Sequence, residues 1–197
     1  MDRSYRPGQC PGISLARRRG GRQHHIDVDS FRDAVVIVTG GSRGPGRDIA
    51  RALAGRGFVI VLVYLDDQAE ADAAIDEILV ANGTALSVRA DLTDRLDVER
   101  LFAETAAAFG GVDVVVQTDR PGSRLVTEQA ACRVRRGGAI IDVTDGPGVS
   151  TPDIVDTLLA RGITMTGIEL APDPAADHLD ITHLLEILET GRASPAD

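Results

Sequence analysis

The chain has 197 residues, of which 43% are hydrophobic and 26% charged, and this composition is typical of a globular protein with one domain. Its net charge of −9 argues against nucleic acid as the main partner, and its apolar runs are too short to span a membrane. The two cysteines, Cys10 and Cys132, provide no disulfide framework and suit a reducing compartment, so we expect a cytoplasmic protein.

The first residues differ from the rest in charge. Residues 1–25 carry six arginines against a single acid, a net charge of +5, which leaves −14 for the remainder. We therefore expect a flexible Arg-rich extension at 1–32, one domain at 33–190 and a disordered tail at 191–197. An organellar presequence and an over-long gene start are alternative interpretations of the extension.

From Ala34 onward, short β-rich runs alternate with segments of helical periodicity. Strands are predicted at 34–39, 58–64, 84–89, 112–117, 139–144 and 163–170. Helices are predicted after the first three strands, with Leu79 among the core-facing positions of the second, and then at 124–136, 151–161 and around 183–189. This order predicts an α/β fold: a doubly wound parallel sheet of about six strands with helices on both faces.

The first strand leads into the glycine-rich stretch TGGSRGPG at residues 39–46, and a helix follows at once. Gly40, Gly44 and Gly46 allow backbone conformations and close approaches that a Cβ would prevent. Backbone N–H groups and the positive end of the helix would then face a pyrophosphate. Pro45 lacks an N–H at one of these positions, although its ring suits the first turn of a helix.

These residues carry a family resemblance. The loop resembles the TGxxxGxG loop of short-chain dehydrogenases/reductases, ADLTD at 90–94 resembles their adenine-contacting segment, and GVDVVV at 111–116 resembles the strand that leads to their NNAG motif. The resemblance covers roughly residues 34–172 and is nearest to the 3-oxoacyl-carrier-protein reductase-like group. It implies a Rossmann-type domain that binds NAD(P).

The resemblance also implies which residues hold the cofactor. The loop glycines Gly40, Gly44 and Gly46, together with Ser42, would surround the pyrophosphate, while Asp91 would accept from the adenine amino group with Leu92 beside the ring. Arg43 in the loop and Tyr64 at the end of the second strand favour NADP(H) over NAD(H). Asp66 and Asp67 argue in the opposite direction.

The catalytic half of the family pattern is absent. The family uses a tyrosine with a lysine four residues later, but this chain has no lysine, and its only tyrosines are Tyr5 and Tyr64. Asp145 falls at the register of the catalytic serine, which leaves Thr144 as a weak candidate for a catalytic hydroxyl. QTDR at 117–120 replaces NNAG, and the intervals 118–137 and 144–162 are about half as long as those of the family. We therefore expect an oxidoreductase relative that lacks the Ser-Tyr-Lys machinery.

Two alternatives stay open at this stage. The chain could be an active oxidoreductase that uses Thr144 with a bound water, or a non-catalytic partner that forms a homo- or hetero-oligomer with a related reductase. No metal is predicted, because the histidines at 24–25, 178 and 183 have no convincing ligand spacing.

Overall fold

The computed structural model describes residues 33–118, 123–143 and 152–168, together with Leu184. The predicted extension at 1–32, the tail at 191–197, the histidines and the candidate Thr144 lie outside these ranges. Strands and helices alternate throughout the described ranges: β1 (Val35–Val38), α1 (Gly44–Ala54), β2 (Val59–Tyr64), α2 (Gln68–Val80), β3 (Thr84–Arg89), α3 (Arg95–Phe109), β4 (Val112–Gln117), α4 (Ser123–Arg133), β5 (Val134–Asp142), α5 (Pro152–Arg161) and β6 (Thr164–Gly167).

The six strands form one parallel sheet in the order β3-β2-β1-β4-β5-β6. Helices α1 and α2 pack on one face, through residues such as Ile49, Leu53 and Ile78. Helices α3, α4 and α5 pack on the other, through residues such as Leu101 and Val126. The predicted doubly wound Rossmann-type fold is therefore confirmed.

The central strands are apolar nearly throughout because both faces of the sheet are covered. In β1 the side chains alternate between the two cores: Val36 and Val38 face α1, whereas Val35 and Ile37 face the opposite helices. Each such buried side chain stabilises the fold by about 1.5–3 kcal/mol relative to an exposed one. This two-sided burial holds the carboxyl ends of β1, β2 and β4 in fixed positions.

The prediction was wrong at the start of β5. This strand begins at Val134, so residues 134–136, which the periodicity assigned to a helix, belong to β5 instead, and Val134 pairs with Val112 of β4. The register shifts between Val112 and Val114, and Gly137 has a φ of +80°. A Cβ at Gly138 would lie 2.2 Å from the Asp113 carbonyl oxygen. The shift in register depends on this close approach of Gly138 to β4, and a close approach of two backbones leaves little signal in the hydrophobic periodicity of the sequence.

Two further details differ from expectation. Leu79, predicted to face the core, is 49% exposed near the end of α2, where Ile78 takes the inward position. Cys132 on α4 is disulfide-bonded, which the cysteine count did not predict. None of the helices in the described ranges is long and apolar enough to cross a membrane.

Candidate functional site

The candidate site lies at the carboxyl ends of β1, β2 and β4. The strand order reverses between β1 and β4, because the chain reaches one edge at β3 and then returns to the centre. In open α/β sheets this switch point leaves a crevice outside the carboxyl ends of the strands, and ligands bind there. The glycine loop follows β1 and opens into this crevice.

The loop has the backbone conformation that its glycines predict. Gly40 has a φ of +60° and Gly44 a φ of +50°, values that other L-residues rarely adopt. The Gly41 N–H donates to the Val63 carbonyl oxygen at 3.3 Å, which ties the loop to the end of β2. The loop is therefore a shaped turn with contacts to the neighbouring strand.

Gly46 is required for a different reason, the close approach of α1 to the loop. A Cβ at this position would lie 2.4 Å from the Gly40 carbonyl oxygen and 3.0 Å from the Thr118 hydroxyl oxygen. Gly46 is buried although it is in the first turn of a helix that opens at the surface. The absence of a side chain here lets the helix start directly over the loop.

Two threonines join the strands on either side of the switch point. The Thr118 N–H donates to Thr39 Oγ1 at 3.0 Å, and the Thr118 hydroxyl donates to the Thr39 carbonyl oxygen at 2.5 Å. Sequence reasoning assigned no role to this pair, since its members are 79 residues apart. We refer to the two bonds between Thr39 and Thr118 as the threonine clasp.

The start of α1 is an uncapped helix end. The N-cap residue Arg43 makes no side-chain capping hydrogen bond, and the first turn contains no acidic residue. Pro45 lies in this first turn, where its missing N–H breaks no bond within the helix. The remaining N–H groups and the positive end of the helix dipole therefore suit an anion.

A second part of the site is a cleft between the ends of β2 and β3. The two strand ends are joined by a hydrogen bond, in which the Ala90 N–H donates to the Tyr64 carbonyl oxygen at 3.0 Å. The cleft has a volume of about 160 Å³. It is lined by Val63, Tyr64, Leu65, Ala90, Asp91, Leu92 and Thr93. Pockets for whole drug-sized ligands begin at about 300 Å³, so this cleft suits one ring system of a larger ligand. The structure thus brings the predicted Tyr64, Asp91 and Leu92 together.

Asp91 is held in a fixed conformation at the edge of this cleft. Its Oδ1 accepts from the Thr93 N–H at 2.8 Å and from the Thr93 hydroxyl at 2.6 Å, and its own N–H donates to Asp97 at 2.9 Å. The Thr93 hydroxyl first, and then the Thr93 N–H, lower the pKa of Asp91 below its ordinary value of 3.8. At neutral pH Asp91 is therefore a carboxylate, and its Oδ2 makes no hydrogen bond to any described residue.

Arg43 does not stand alone as a cation in the loop. Its Nη2 donates to Oδ2 of Asp67, the N-cap residue of α2, whose Oδ1 accepts from the Glu70 N–H at 3.1 Å. The pKa of Asp67 is lowered, chiefly by the Glu70 N–H, and the charge of Arg43 adds to the effect. The sequence suggested that these residues have opposite influences on cofactor choice, but not that they form an ion pair.

On the other side of the sheet, Gln117 is a buried polar residue that sequence reasoning considered only as a departure from NNAG. Its Nε2 donates to Thr127 Oγ1 on α4 at 2.9 Å, whereas its Oε1 has no hydrogen-bond partner among the described residues. Gln117 pairs in register with Asp142, which is also buried. A polar pair at the end of two buried strands is the only sequence signal that could have identified this location.

Between β5 and β6, where the family resemblance places the proton-transfer residues, the described residues include no tyrosine and no lysine. Helix α5 connects β5 to β6, and its sequence PDIVDTLLAR contains neither tyrosine nor lysine. Thr144, the weak catalytic candidate, lies outside the described residues. The described ranges also contain no group of three or more His, Cys, Asp or Glu residues arranged to hold a metal ion.

Comparison with known proteins agrees with the fold and the loop. The family model for short chain dehydrogenase matches residues 34–118, the segment from β1 to the end of β4. A hydroxynaphthalene reductase-like protein of Metarhizium anisopliae is 39% identical over 87 residues, which cover 44% of this chain and 33% of that protein. A 3-oxoacyl-[acyl-carrier-protein] reductase of a Synechocystis strain is 38% identical over 82 residues, covering 42% and 33% respectively.

Among solved structures, a short chain dehydrogenase from Burkholderia cenocepacia, determined in complex with NADP, superposes with a TM-score of 0.66. It is 19% identical and the match covers 83% of this chain and 94% of that chain. This similarity supports the fold. The present chain spans about a third of the length of these two curated relatives.

Proposed function

We propose that this chain, which belongs to the short-chain dehydrogenase/reductase family, binds NADP(H) across the glycine loop and the Tyr64 cleft and no longer carries the family's proton-transfer machinery. Gly40, Ser42, Gly44 and Gly46 would surround the pyrophosphate. Tyr64, Asp91 and Leu92 would hold the adenine. Arg43, between the two parts, would meet the 2′-phosphate.

The observation that carries this proposal is that two complementary parts lie at one edge of the sheet. An uncapped helix end suits the phosphates, and a small, largely apolar cleft with one fixed carboxylate suits an adenine ring that carries an amino group. The Gly41–Val63 hydrogen bond connects the loop to the strand that lines the cleft. A dinucleotide is long enough to occupy both parts, whereas a lone phosphate or purine would use only one.

The preference for NADP(H) rests on Arg43 and on the residue at the end of β2. That residue is Tyr64 rather than an acid, so the position offers no carboxylate to the 2′-OH of NAD(H). The Arg43 side chain is 62% exposed, and a guanidinium is well suited to a phosphate. These features favour the phosphorylated cofactor.

The proposed loss of catalysis rests on chemistry rather than on distance. A bound nicotinamide would supply the hydride, but hydride transfer to a ketone also needs a proton donor near neutral pH. The cleft tyrosine would lie on the adenine side, and the chain contains no lysine to assist a phenol as proton donor. The chain's residues would therefore bind and orient the cofactor without protonating a substrate.

A titration of the wild type with NADPH and NADH, followed by fluorescence or calorimetry, tests this function. We expect Arg43→Ala to weaken NADPH binding about tenfold and to change NADH binding little, because only NADPH has a 2′-phosphate. Arg51→Ala is the matched control, since Arg51 is an exposed arginine of the same helix that pairs only locally with Asp48. Absence of binding of either cofactor at millimolar concentration would contradict the proposal, and NADPH oxidation on a panel of ketones would contradict the loss of catalysis.

Two further parts of the proposal concern context. Val155 and Leu159 are four residues apart on α5, and they are 40% and 73% exposed. They support association with a second copy or with a related reductase, and a monodisperse monomer without a copurifying reductase would contradict it. The cytoplasmic location expected from the composition also stays part of the proposal.

A further inference from the structure

The ion pair between Arg43 and Asp67 connects the glycine loop to the start of α2. Arg43 is the N-cap residue of α1 and Asp67 the N-cap residue of α2, so the pair bridges two helix ends that face the same edge of the sheet. Both side chains are partly exposed, 62% for Arg43 and 38% for Asp67. A ligand in the crevice can therefore reach the pair from solvent.

Asp67 occupies a position with two attractions for an anion. Its Oδ1 accepts from the Glu70 N–H at the positive end of α2, and its Oδ2 accepts from the Arg43 guanidinium. These contacts keep the pKa of Asp67 low, so the side chain is charged at neutral pH. The chain thus places one of its own carboxylates where a guanidinium and a helix N-terminus would both attract a phosphate.

We propose that Asp67 is a specificity-determining residue whose carboxylate competes with the 2′-phosphate of NADP(H) for Arg43. This competition makes the protein's preference for NADP(H) over NAD(H) smaller than Arg43 alone would give. The inference rests on the proposed function, because it concerns the ribose end of the same cofactor. NAD(H) has a neutral hydroxyl at that position, so its binding does not require Arg43 to be released.

The strength of the Arg43–Asp67 ion pair allows Asp67 to compete with the 2′-phosphate without excluding it. Exposed ion pairs contribute little to stability, so a 2′-phosphate with a charge close to −2 can displace the carboxylate from Arg43. The displaced carboxylate nevertheless stays beside the phosphate, because the Glu70 N–H still holds its other oxygen. Repulsion between the two anions then lowers the affinity for NADP(H).

The neighbouring arginine cannot take over this role. Arg47 donates to Glu70 at 3.1 Å and to Glu77 at 2.9 Å and 3.3 Å, and the hydrogen bond to Glu77 is the largest contribution to its raised pKa. Arg47 is thus already neutralised by two carboxylates of α2. Between these two arginines, Arg43 is the one that a 2′-phosphate can recruit by breaking a single exposed contact.

The test is the variant Asp67→Asn, titrated with NADPH and NADH beside the wild type. Asparagine is as good an N-cap residue as aspartate, so the substitution removes the charge and keeps the cap of α2. We expect the dissociation constant for NADPH to fall about five- to tenfold and that for NADH to change less than about twofold. The probes 2′,5′-ADP and 5′-AMP should show the same contrast without the nicotinamide half.

Asp66→Asn is the matched control, because Asp66 is the adjacent, exposed carboxylate and forms no ion pair with Arg43. It removes the same charge and should change NADPH affinity less than about twofold. Asp67→Ser, which also preserves a cap, keeps the test valid if Asp67→Asn folds poorly.

The outcomes separate the two proposals. If the wild type binds both cofactors and Asp67→Asn leaves NADPH affinity unchanged, or improves NADPH and NADH equally, the role of Asp67 is overturned and the binding function stands. An equal gain for Asp66→Asn would also overturn it, since net charge would then explain the effect. If neither the wild type nor any variant binds a dinucleotide, the proposed function fails and this inference fails with it.

Discussion

The chain up to Thr118 and the chain after it contribute differently to the molecule. The first part contains the glycine loop, the Tyr64 cleft and the Arg43–Asp67 pair, and the family model for short chain dehydrogenase matches it from β1 onward. The second part completes the sheet with β5 and β6 and covers one face with α4 and α5. The residues proposed to hold a dinucleotide therefore all lie in the first part of the sequence, which is the part that resembles the family.

In the second part, the contacts hold helices and strands of the fold together. Arg161 at the end of α5 donates to the carbonyl oxygens of Ala131 and Val134 at 2.7 Å and 2.8 Å, and its burial lowers its pKa. These bonds satisfy carbonyl groups where α4 meets β5. The second part thus stabilises the sheet, on which the position of the crevice depends.

Among the substitutions that test this difference between the two parts, Gly46→Ala is expected to have the largest effect. The added methyl group would overlap the Gly40 carbonyl group, so α1 must move away from the loop. We expect a loss of roughly 2–3 kcal/mol in the free energy of unfolding, and no measurable NADPH binding. A thermal denaturation curve, with a decrease of about 5–10 °C in Tm, and a cofactor titration measure the two effects.

Gly55→Ala is the control for this substitution. Gly55 has helical dihedrals, and a Cβ there meets nothing closer than 3.5 Å. We expect it to raise the free energy of unfolding by about 0.4–1 kcal/mol and to leave NADPH binding unchanged. If Gly46→Ala binds NADPH as the wild type does, the phosphates do not lie over this turn.

The next largest effect is an increase in NADPH affinity, caused by a substitution in the first part. Pro45 is exposed in the first turn of α1, and it removes one backbone donor from an anion site. Because a hydrogen bond to a charged group contributes about 1.5–3 kcal/mol, we expect Pro45→Ile to tighten NADPH binding roughly ten- to a hundredfold. Calorimetric titration of the two proteins at one ionic strength measures the difference. Unchanged affinity would mean that this position does not face the cofactor phosphates.

The smallest effect concerns Gln117, where the two parts meet. Substitution of Gln117 by leucine removes a buried carbonyl oxygen that has no partner among the described residues. The same substitution also removes the hydrogen bond from Gln117 to Thr127. We expect Gln117→Leu to raise the free energy of unfolding by about 1 kcal/mol, measured by urea denaturation, with NADPH affinity unchanged. Lower affinity in this variant would assign the unpaired oxygen to ligand binding and would weaken the separation between the two parts.

The sequence predicted the sheet well because its information is local there. Runs such as VVIV and VIVLVY are short, β-branched and apolar nearly throughout, which is typical of strands in a sheet covered on both faces, and the glycine stops mark the ends of the helices. The error at Val134 arose because its pairing with Val112 precedes an irregularity, in which β5 advances from Val134 to Ala139 while β4 advances only from Val112 to Val114. A register shift is a property of two strands, and periodicity in one of them does not encode it.

The candidate site was predicted only as far as a resemblance allows. It indicated the loop and the cleft residues Tyr64, Asp91 and Leu92, which the structure places along one edge. It did not predict that Thr93 occupies one oxygen of Asp91 or that Arg43 pairs with Asp67. These contacts are set by the angles at which loops leave the strands, and the sequence pattern does not encode those angles.

The threonine clasp has a consequence for how such a chain can change over time. It fixes the mouth of the crevice with atoms that all belong to residues at or before position 118, so substitutions further along the chain do not loosen it directly. Substitutions can therefore accumulate downstream of position 118 in the course of evolution while the geometry of the crevice is retained. Because the clasp does not depend on the later residues, a segment from a related reductase can be joined after position 118 without removing either hydrogen bond.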